Sequence, residues 1–191
     1  MRVAIYGGSF NPPHVGHAMV ASWIRWTGRA DAVWLLPAYH HAFEKVLAPW
    51  EARVRMAQAL ADTLGPWCRV ERIEEVLPVP SYTVNTLGVL AARHPQHELQ
   101  LVVGADVLSQ LPQWREVERL LASFPLIVVG RQGWPAVEGA PCFPDVSSTE
   151  IRERVAIGAG FAHLVPTAVR AIVDEERLYR SVLHPDCRVT S

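Results

Sequence analysis

The sequence predicts an α/β fold, an open parallel sheet flanked by helices on both faces. Short, continuous apolar runs recur along the chain, as is typical of strands whose two faces are both buried. Longer segments with apolar residues at helical spacing separate these runs. The chain of 191 residues is 50% hydrophobic, which is enough for a sizeable core. Strands and helices that alternate in this way build a parallel sheet through right-handed crossovers.

Five segments are predicted to be strands. Four are continuous apolar runs, at residues 3–7, 32–37, 98–104 and 125–131. Residues 68–76 (CRVERIEEV) instead alternate apolar and charged side chains, which predicts a strand with one face in water. Residues 132–144 contain several Pro and Gly and are predicted to be a loop.

Six segments are predicted to be helices. The first extends from His14 to Thr27, after Pro12-Pro13 and before Gly28, which are typical start and stop signals. The others lie at 49–63, 82–93, 113–122, 147–158 and 166–179. The sequence has no linker, repeat or low-complexity tract. We therefore expect one Rossmann-like domain over residues 1–191, with a C-terminal helical segment at about 147–180.

Charge and cysteine usage argue against several classes of protein. The chain has 18 basic and 19 acidic residues, so no basic excess indicates a nucleic-acid partner. Cys68, Cys142 and Cys187 are odd in number and far apart, as is typical of free thiols in a reducing compartment. The sequence contains no signal-peptide pattern and no apolar run of membrane-spanning length. We expect a cytoplasmic protein without a membrane partner; a homo-oligomer is left open.

Residues 7–17 (GGSFNPPHVGH) predict a phosphate site. They follow the first strand, and ligands of open α/β sheets bind beyond the carboxyl ends of the strands. Gly7 and Gly8 would let the backbone approach a ligand closely. The helix that begins here offers its free N–H groups and dipole to an anion. His14 and His17 would lie on one side of that helix and could donate to the same phosphate.

This stretch resembles the G-x-F-x-P-x-H-x-G-H signature of the nucleotidyltransferase superfamily, and neither the P-loop nor the G-x-G-x-x-G motif is present. VSSTEIR at 146–152 resembles a second superfamily signature, I-S-S-T-x-[IV]-R. Four further segments are similar to the bacterial nicotinate (nicotinamide) mononucleotide adenylyltransferases: PSYTVNTL (80–87), VVGADVLSQLPQWREVERL (102–120), VVGRQG (128–133) and LVPTAVRAIVDEERLY (164–179). Two places depart from the family. Asn11 stands where the motif commonly has Asp, and PAYHHAFEK (37–45) stands where the family often has P-P-H-K.

The resemblance implies adenylyl transfer from ATP to nicotinate mononucleotide, giving nicotinate adenine dinucleotide and pyrophosphate in NAD biosynthesis. The attacking phosphate oxygen is anionic at neutral pH, so catalysis would rest on positioning and charge stabilisation. Mg²⁺ would be bound through the ATP phosphates and water, without a dedicated carboxylate cage. A preference for nicotinamide mononucleotide, or acceptance of both mononucleotides, is left open.

The resemblance also implies roles for residues at matching positions. His14, His17 and Arg152 would be catalytic: the imidazoles would bind the α- and β-phosphates and Arg152 the leaving pyrophosphate. Further residues would contact ATP: Gly7, Gly8, Ser9, Phe10, Gly104, Asp106, Arg131, Ser148 and Thr149. A third group would contact the mononucleotide: Asn11, Lys45, Arg53, Tyr82, Thr83 and Trp114. In that group Lys45 and Arg53 are candidates for the phosphate, and Trp114 would stack on the pyridine ring.

Structural and functional alternatives remain open at this point. The histidines could cap a helix, the SSTE segment could be an ordinary capping box, and Arg53 could pair with Glu51. Trp114 could be a packing residue. A metal-dependent hydrolase could hold zinc on His14, His17, His40 and His41, although His-x-x-His lacks the glutamate of H-E-x-x-H. A non-catalytic nucleotide sensor could share the fold.

Overall fold

The fold is organised around a six-stranded parallel sheet. The structure, a computed structural model, describes residues 1–39 and 47–180. Within this part of the chain the strands follow the order β3-β2-β1-β4-β5-β6, and every neighbouring pair is parallel. Their bounds are β1 Arg2–Gly8, β2 Ala32–Pro37, β3 Cys68–Val70, β4 Glu98–Gly104, β5 Leu126–Arg131 and β6 Cys142–Phe143. This is the Rossmann-like strand order, so the predicted fold class is confirmed.

The order of the strands changes direction beside β1. The chain moves outward from β1 to β2 and β3, then crosses back to place β4 on the other side of β1. In open α/β sheets a crevice forms at this switch point, outside the carboxyl ends of the strands. The end of β1 is also where the sequence places Gly7 and Gly8.

Helices connect all of these strands except β5 and β6. In the described ranges the α-helices are α1 Val15–Trp26, α2 Trp50–Leu64, α3 Thr83–Arg93, α4 Ala105–Leu108, α5 Val117–Ser123, α6 Ser148–Ala156 and α7 Thr167–Glu175. Two short 3₁₀-helices lie at Ile73–Val76 and Leu111–Gln113. No helix in these ranges has the length and apolar character that crossing a membrane requires.

Alternate side chains of each central strand enter two separate cores. In β1, Ala4 packs with residues of α1, α2, α6 and α7 on one face of the sheet. Its neighbours Val3 and Ile5 pack with residues of α3 and α5 on the other face. Each large apolar side chain that is fully buried in this way contributes about 1.5–3 kcal/mol through the hydrophobic effect. The continuous apolar runs of the sequence therefore reflect a sheet that is covered on both faces.

The strand predicted at 68–76 is wrong in its second half. The strand ends at Val70, and a 3₁₀-helix follows at Ile73–Val76. In this 3₁₀-helix the carboxylate of Glu74 is buried and accepts a hydrogen bond from Oγ1 of Thr86 at 2.6 Å. The partner of Glu74 lies 12 positions further along the chain, so alternation within the segment carries no sign of this contact.

The predictions for 113–122 and 132–144 also need correction. The helix begins only at Val117, because the preceding Glu116 has a left-handed backbone (φ 50°) that interrupts the helical path. Inside the predicted loop 132–144, Cys142 and Phe143 form the short edge strand β6, paired with the end of β5. A strand of two residues is too short to show any periodicity.

The buried thiol of Cys68 makes the stability of this fold sensitive to high pH. Burial, with a smaller effect from the Asp62 carboxylate, raises the pKa of Cys68 from 9.0 to about 12. Folding therefore favours the protonated thiol. Its contribution to stability is complete below the unfolded pKa and is lost as the pH rises towards the folded pKa.

We expect this group to lower the free energy of unfolding by up to about 1.4 kcal/mol per pH unit above about pH 9. Urea unfolding of the wild type and of Cys68→Ala, at about pH 8 and about pH 10.5, measures the effect. The difference in stability between the two proteins should shrink at the higher pH, since the variant lacks the titrating thiol. A difference that is independent of pH would contradict the prediction.

Candidate active site

A cleft of about 390 Å³ opens at the carboxyl ends of β1, β4 and β5. The ends of these strands, the starts of α1 and α6, and the connection after β1 all contribute to its wall. Many of the predicted site residues line it: Gly7, Gly8, Ser9, Asn11, His14, His17, Gly104, Asp106, Ser148, Thr149 and Arg152. The fold thus brings together the two signatures that lie at opposite ends of the sequence. The binding role of each residue stays a prediction.

The start of α1 presents two imidazoles to the cleft. His14 is the N-cap residue, and its ring centroid lies 3.9 Å from that of His17. The backbone N–H of His14 donates to Nδ1 of His17 at 3.1 Å. Because Nδ1 accepts a hydrogen bond, the neutral His17 ring carries its proton on Nε2. The hydrogen bond between His14 and His17 therefore has a structural role at the start of the helix. The same hydrogen bond makes Nε2 the donor atom of His17.

The ring of Phe10 packs against the ring of His17. Its side chain is buried, and its ring centroid lies 5.0 Å from that of His17 and 6.0 Å from that of Tyr6. Its backbone is left-handed (φ 45°), a conformation that costs about 1–3 kcal/mol in a residue other than Gly. This turn redirects the chain from β1 into α1. The residue packs against an imidazole here and is not among those that line the cleft.

The start of α6 binds the connection after β1 directly. Oγ of Ser148 donates to the carbonyl oxygen of Pro12 at 2.8 Å. Nη1 of Arg152 donates to the carbonyl oxygen of Asn11 at 2.9 Å, and its Nη2 donates to Oγ1 of Thr149 at 3.1 Å. The two contacts to the β1 connection join residues 136 and 141 positions apart in sequence. These contacts hold the guanidinium and the first turn of α6 at the edge of the cleft.

The capping motif predicted for SSTE is present at this helix start. Oγ of Ser147 accepts from the backbone N–H of Glu150 at 3.1 Å, which is the usual N-cap hydrogen bond. Ser147 caps the helix, which leaves the hydroxyl of Ser148 to donate to Pro12. Ser148 and Thr149, the first residues of α6, line the cleft, so the first N–H groups of this helix lie beside it. A structural cap is therefore compatible with a phosphate site in the same motif.

Asn11 connects the cleft to two distant parts of the chain. Its side chain is 1% exposed, and Oδ1 accepts from the backbone N–H of Ala48 at 3.0 Å. The same oxygen accepts from the hydroxyl of Tyr179 at 2.9 Å. Because a backbone N–H can only donate, the atom that faces Ala48 is the oxygen, which fixes the orientation of the amide.

Tyr179 is a residue that the sequence analysis missed. It follows α7 with a left-handed backbone (φ 63°), which turns its side chain towards the connection after β1. Burial raises the pKa of its hydroxyl above the ordinary value of 10.0, against the weaker opposite effects of Arg152 and Arg53. The group is therefore a protonated donor at neutral pH. Its only sequence signal was its position at the end of the family-like segment 164–179.

Arg53 has a different role from the one expected. Its side chain is 2% exposed and donates to four backbone carbonyls, those of Ala48 (3.1 Å), Ser9 (3.1 Å), Ala38 (2.7 Å) and Tyr39 (3.2 Å). These bonds hold the chain on both sides of residues 40–46. A mononucleotide phosphate does not fit this arrangement, since the guanidinium is buried and committed to the backbone. Glu51, the other partner considered, pairs with Arg72 instead.

The predicted pyridine-site residues lie outside this cleft. Tyr82 is the N-cap residue of α3, Thr83 is its first residue, and the guanidinium of Arg115 lies 4.8 Å from the Tyr82 ring centroid. That contact brings the segment of Trp114 to the start of α3. The Trp114 indole packs against the core that contains the residues of α3 and α5. None of these side chains lines the cleft at the ends of β1 and β4.

Some predicted residues cannot be placed. Lys45, His40 and His41 lie outside the described residues, and the side chain of Arg131 is not described either. Within residues 1–39 and 47–180, no group of three or more His, Cys, Asp and Glu side chains could hold a metal ion.

Comparison with known proteins gives one consistent family. Residues 5–154 match the cytidylyltransferase-like family. A probable nicotinate-nucleotide adenylyltransferase of Anaeromyxobacter sp. (strain K) is 46% identical over 181 residues, which cover 94% of this chain and 97% of that relative. Another, from Thermus thermophilus, is 38% identical over 187 residues, 94% of this chain and 100% of the relative.

A solved structure has the same fold at low sequence identity. The nicotinic acid mononucleotide adenylyltransferase of Plasmodium falciparum, complexed with NaAD, superimposes with a TM-score of 0.78 at 17% identity, covering 93% of this chain and 97% of that one. This likeness supports the fold, while the sequence relatives establish the family. The chain belongs to the cytidylyltransferase-like family and, within it, to the nicotinate-nucleotide adenylyltransferases, a group of nucleotidyltransferase enzymes.

Proposed function

We propose that this chain transfers the adenylyl group of ATP to nicotinate mononucleotide, giving nicotinate adenine dinucleotide and pyrophosphate for NAD biosynthesis. One observation carries the proposal: the starts of α1 and α6, two imidazoles and the Arg152 guanidinium share a single cleft. All of these groups donate hydrogen bonds or carry positive charge, as the binding of a triphosphate requires. The names of the sequence relatives support the choice of substrates.

The chemical step needs no protein nucleophile. An oxygen of the mononucleotide phosphate attacks the α-phosphorus of ATP, and the bond from that phosphorus to the bridging oxygen of pyrophosphate breaks in line with the attack. Negative charge gathers on the transferring phosphoryl group and on the leaving pyrophosphate. The protein's contribution is to hold donors where this charge develops.

The first turn of α1 suits the transferring phosphoryl group. The N–H of Val15 donates to the carbonyl of Leu164 at 2.9 Å, so the N–H of Gly16 is the next one that a ligand can use. Nε2 of His17 carries a proton because Nδ1 is already an acceptor. Both donors are fixed before substrate binds, which avoids reorganisation during the reaction.

Arg152 and the first turn of α6 suit the leaving pyrophosphate. The guanidinium is held on one side by the carbonyl of Asn11 and on the other by Thr149, so its plane is set in the absence of ligand. A planar, permanently charged fork binds phosphate oxygens in pairs. The dipole of α6 adds further positive potential at the same place.

Mg²⁺ would be carried by the substrate. Among the described side chains that line the cleft, Asp106 has the only carboxylate, and most of the other polar groups are donors. The residues therefore fit an ion coordinated by phosphate oxygens and water, which is the ligand set that Mg²⁺ commonly keeps. Bound in this way, the ion would neutralise part of the charge of the triphosphate.

The start of α3 supports nicotinate as the pyridine substrate. Its N-cap residue, Tyr82, makes no side-chain capping bond, and the first turn contains no acidic residue. The first N–H groups and the helix dipole would favour the carboxylate of nicotinate over a neutral amide. The nearby carboxylate of Glu74 is already occupied by the hydroxyls of Ser81 and Thr86.

His17 and Arg152 are the side chains whose removal should cost the most activity. We expect His17→Ala to lower kcat about 100-fold or more, and Arg152→Ala to lower kcat/KM by a similar factor, because each removes a donor aimed at developing charge. The control is Arg154→Ala on the same helix, whose half-buried side chain pairs with Glu150 and donates to the carbonyl of Gly160, outside the cleft. It should leave both constants within about twofold of the wild type.

The measurement is pyrophosphate release from ATP with nicotinate mononucleotide, and with nicotinamide mononucleotide at matched concentration. Faster turnover with nicotinate mononucleotide supports the proposal. ATP binding without turnover on either mononucleotide would identify a nucleotide sensor and overturn it. Preference for nicotinamide mononucleotide would contradict the role given to the start of α3.

Gly16 packs closely against the imidazole of His14. A Cβ at this position would lie 2.9 Å from Nδ1 and 3.0 Å from Cε1 of His14, so the imidazole must move. We expect Gly16→Ala to lower kcat about 10- to 100-fold, since small displacements of a catalytic group are costly.

The control for Gly16→Ala is Gly88→Ala in α3, where nothing lies within 4 Å of the added Cβ. That variant should gain about 0.5–1 kcal/mol of stability from helix propensity and keep its activity. Thermal unfolding and the same turnover assay compare the two. Full activity of Gly16→Ala would contradict the placement of His14 at the reacting phosphate.

A further inference from the structure

In the side-chain amide of Asn11, the oxygen accepts hydrogen bonds from the protein and the nitrogen can donate to a ligand. Oδ1 accepts two hydrogen bonds, from the N–H of Ala48 and the hydroxyl of Tyr179, which use both of its lone pairs. Nδ2 therefore lies on the opposite branch of the side chain. Asn11 lines the cleft, and no residue in the described ranges is seen to accept from Nδ2. Nδ2 is therefore the atom of this side chain that can donate to a molecule bound in the cleft.

The surroundings of Asn11 favour an anionic ligand. Its backbone carbonyl accepts from Arg152, and both Arg152 and Arg53 influence the hydroxyl of Tyr179 electrostatically. An aspartate at this position would accept the same two hydrogen bonds, but its second oxygen could not donate to a phosphate. The amide has a donor there, so the orientation of Asn11 decides which atom the ligand meets.

Tyr179 adds a second hydrogen bond to the amide that Ala48 orients, and it comes from a distant part of the chain. It lies 168 residues from Asn11, beyond the end of α7, where Arg177 and Tyr179 both have left-handed backbones. Leu178 between them is buried in the core, which anchors the segment. Because the Ala48 N–H alone leaves one lone pair of Oδ1 unused, the hydroxyl of Tyr179 supplies the second constraint on the amide.

We propose that Tyr179 is a positioning residue, whose hydroxyl holds the Asn11 amide so that Nδ2 donates to a phosphate oxygen of the bound mononucleotide. This inference rests on the proposed function, because it assigns a contact of the same cleft. Tyr179 itself does not touch the substrate. A hydrogen bond from Nδ2 would be made in the ground state and the transition state alike, so its loss acts mainly on KM.

The test is a double-mutant cycle with Tyr179→Phe and Asn11→Asp. Tyr179→Phe removes only the hydroxyl, and we expect it to raise the KM for nicotinate mononucleotide about tenfold while kcat changes less than about twofold. A carboxylate has an oxygen on both branches and needs no orientation. In the Asn11→Asp background the same Tyr179→Phe change should therefore alter KM less than about twofold.

Arg180→Ala is the matched control, since it disturbs the same segment through an exposed residue that pairs with Asp174. It should leave kcat and KM at their wild-type values. Equal losses from Tyr179→Phe in both backgrounds would show a merely structural role and would overturn the inference. An unchanged KM in the Asn11 background would overturn it as well.

Calorimetry measures the binding of nicotinate mononucleotide to the wild type, Tyr179→Phe, Asn11→Asp and the double variant. Together with turnover, these dissociation constants distinguish a failure of this inference from a failure of the proposed function. Turnover by the wild type without coupling between positions 11 and 179 overturns the inference alone. Coupling in the dissociation constants without turnover overturns the proposed function alone. Both coupling and turnover support the two together.

Discussion

The candidate site depends on one physical contact, the docking of α6 onto the carbonyl oxygens of Asn11 and Pro12. Arg152 donates to the first and Ser148 to the second, so two adjacent peptide groups bind a helix that lies 136 to 141 positions away in sequence. Hydrogen bonds to charged groups contribute about 1.5–3 kcal/mol, and neutral ones about 1 kcal/mol. Without this contact the two signatures would be separate helix starts, each able to bind an anion only weakly.

The connection after β1 can serve as that docking point because its own conformation is fixed by its backbone and by contacts from other parts of the chain. The left-handed backbone of Phe10 turns the chain, and its buried ring packs against His17. Arg53 binds the carbonyl of Ser9, while Ala48 and Tyr179 bind the side chain of Asn11. Buried polar groups that are satisfied in this way make a loop more rigid, and rigidity is what a site that works by electrostatic positioning requires.

Sequence reasoning succeeded where the signal was local. The strand runs, the start of α1 and the Ser147 cap follow from periodicity and capping chemistry, and they are enough to establish the fold and to bring His14 near His17. It failed where a distant partner decided the outcome. Arg53 has the charge of a phosphate ligand, but four carbonyls surround it. Tyr179 has no motif of its own, and only the folded chain shows that it reaches Asn11.

A crystal structure of the protein with a non-hydrolysable ATP analogue tests the central claim most directly. The account predicts a triphosphate in the 390 Å³ cleft, with phosphate oxygens in hydrogen-bonding contact with His17, the first turn of α6 and Arg152. The contact between Arg152 and the Asn11 carbonyl should persist in that complex. A triphosphate bound elsewhere, or an Arg152 side chain turned into solvent away from it, would contradict the account.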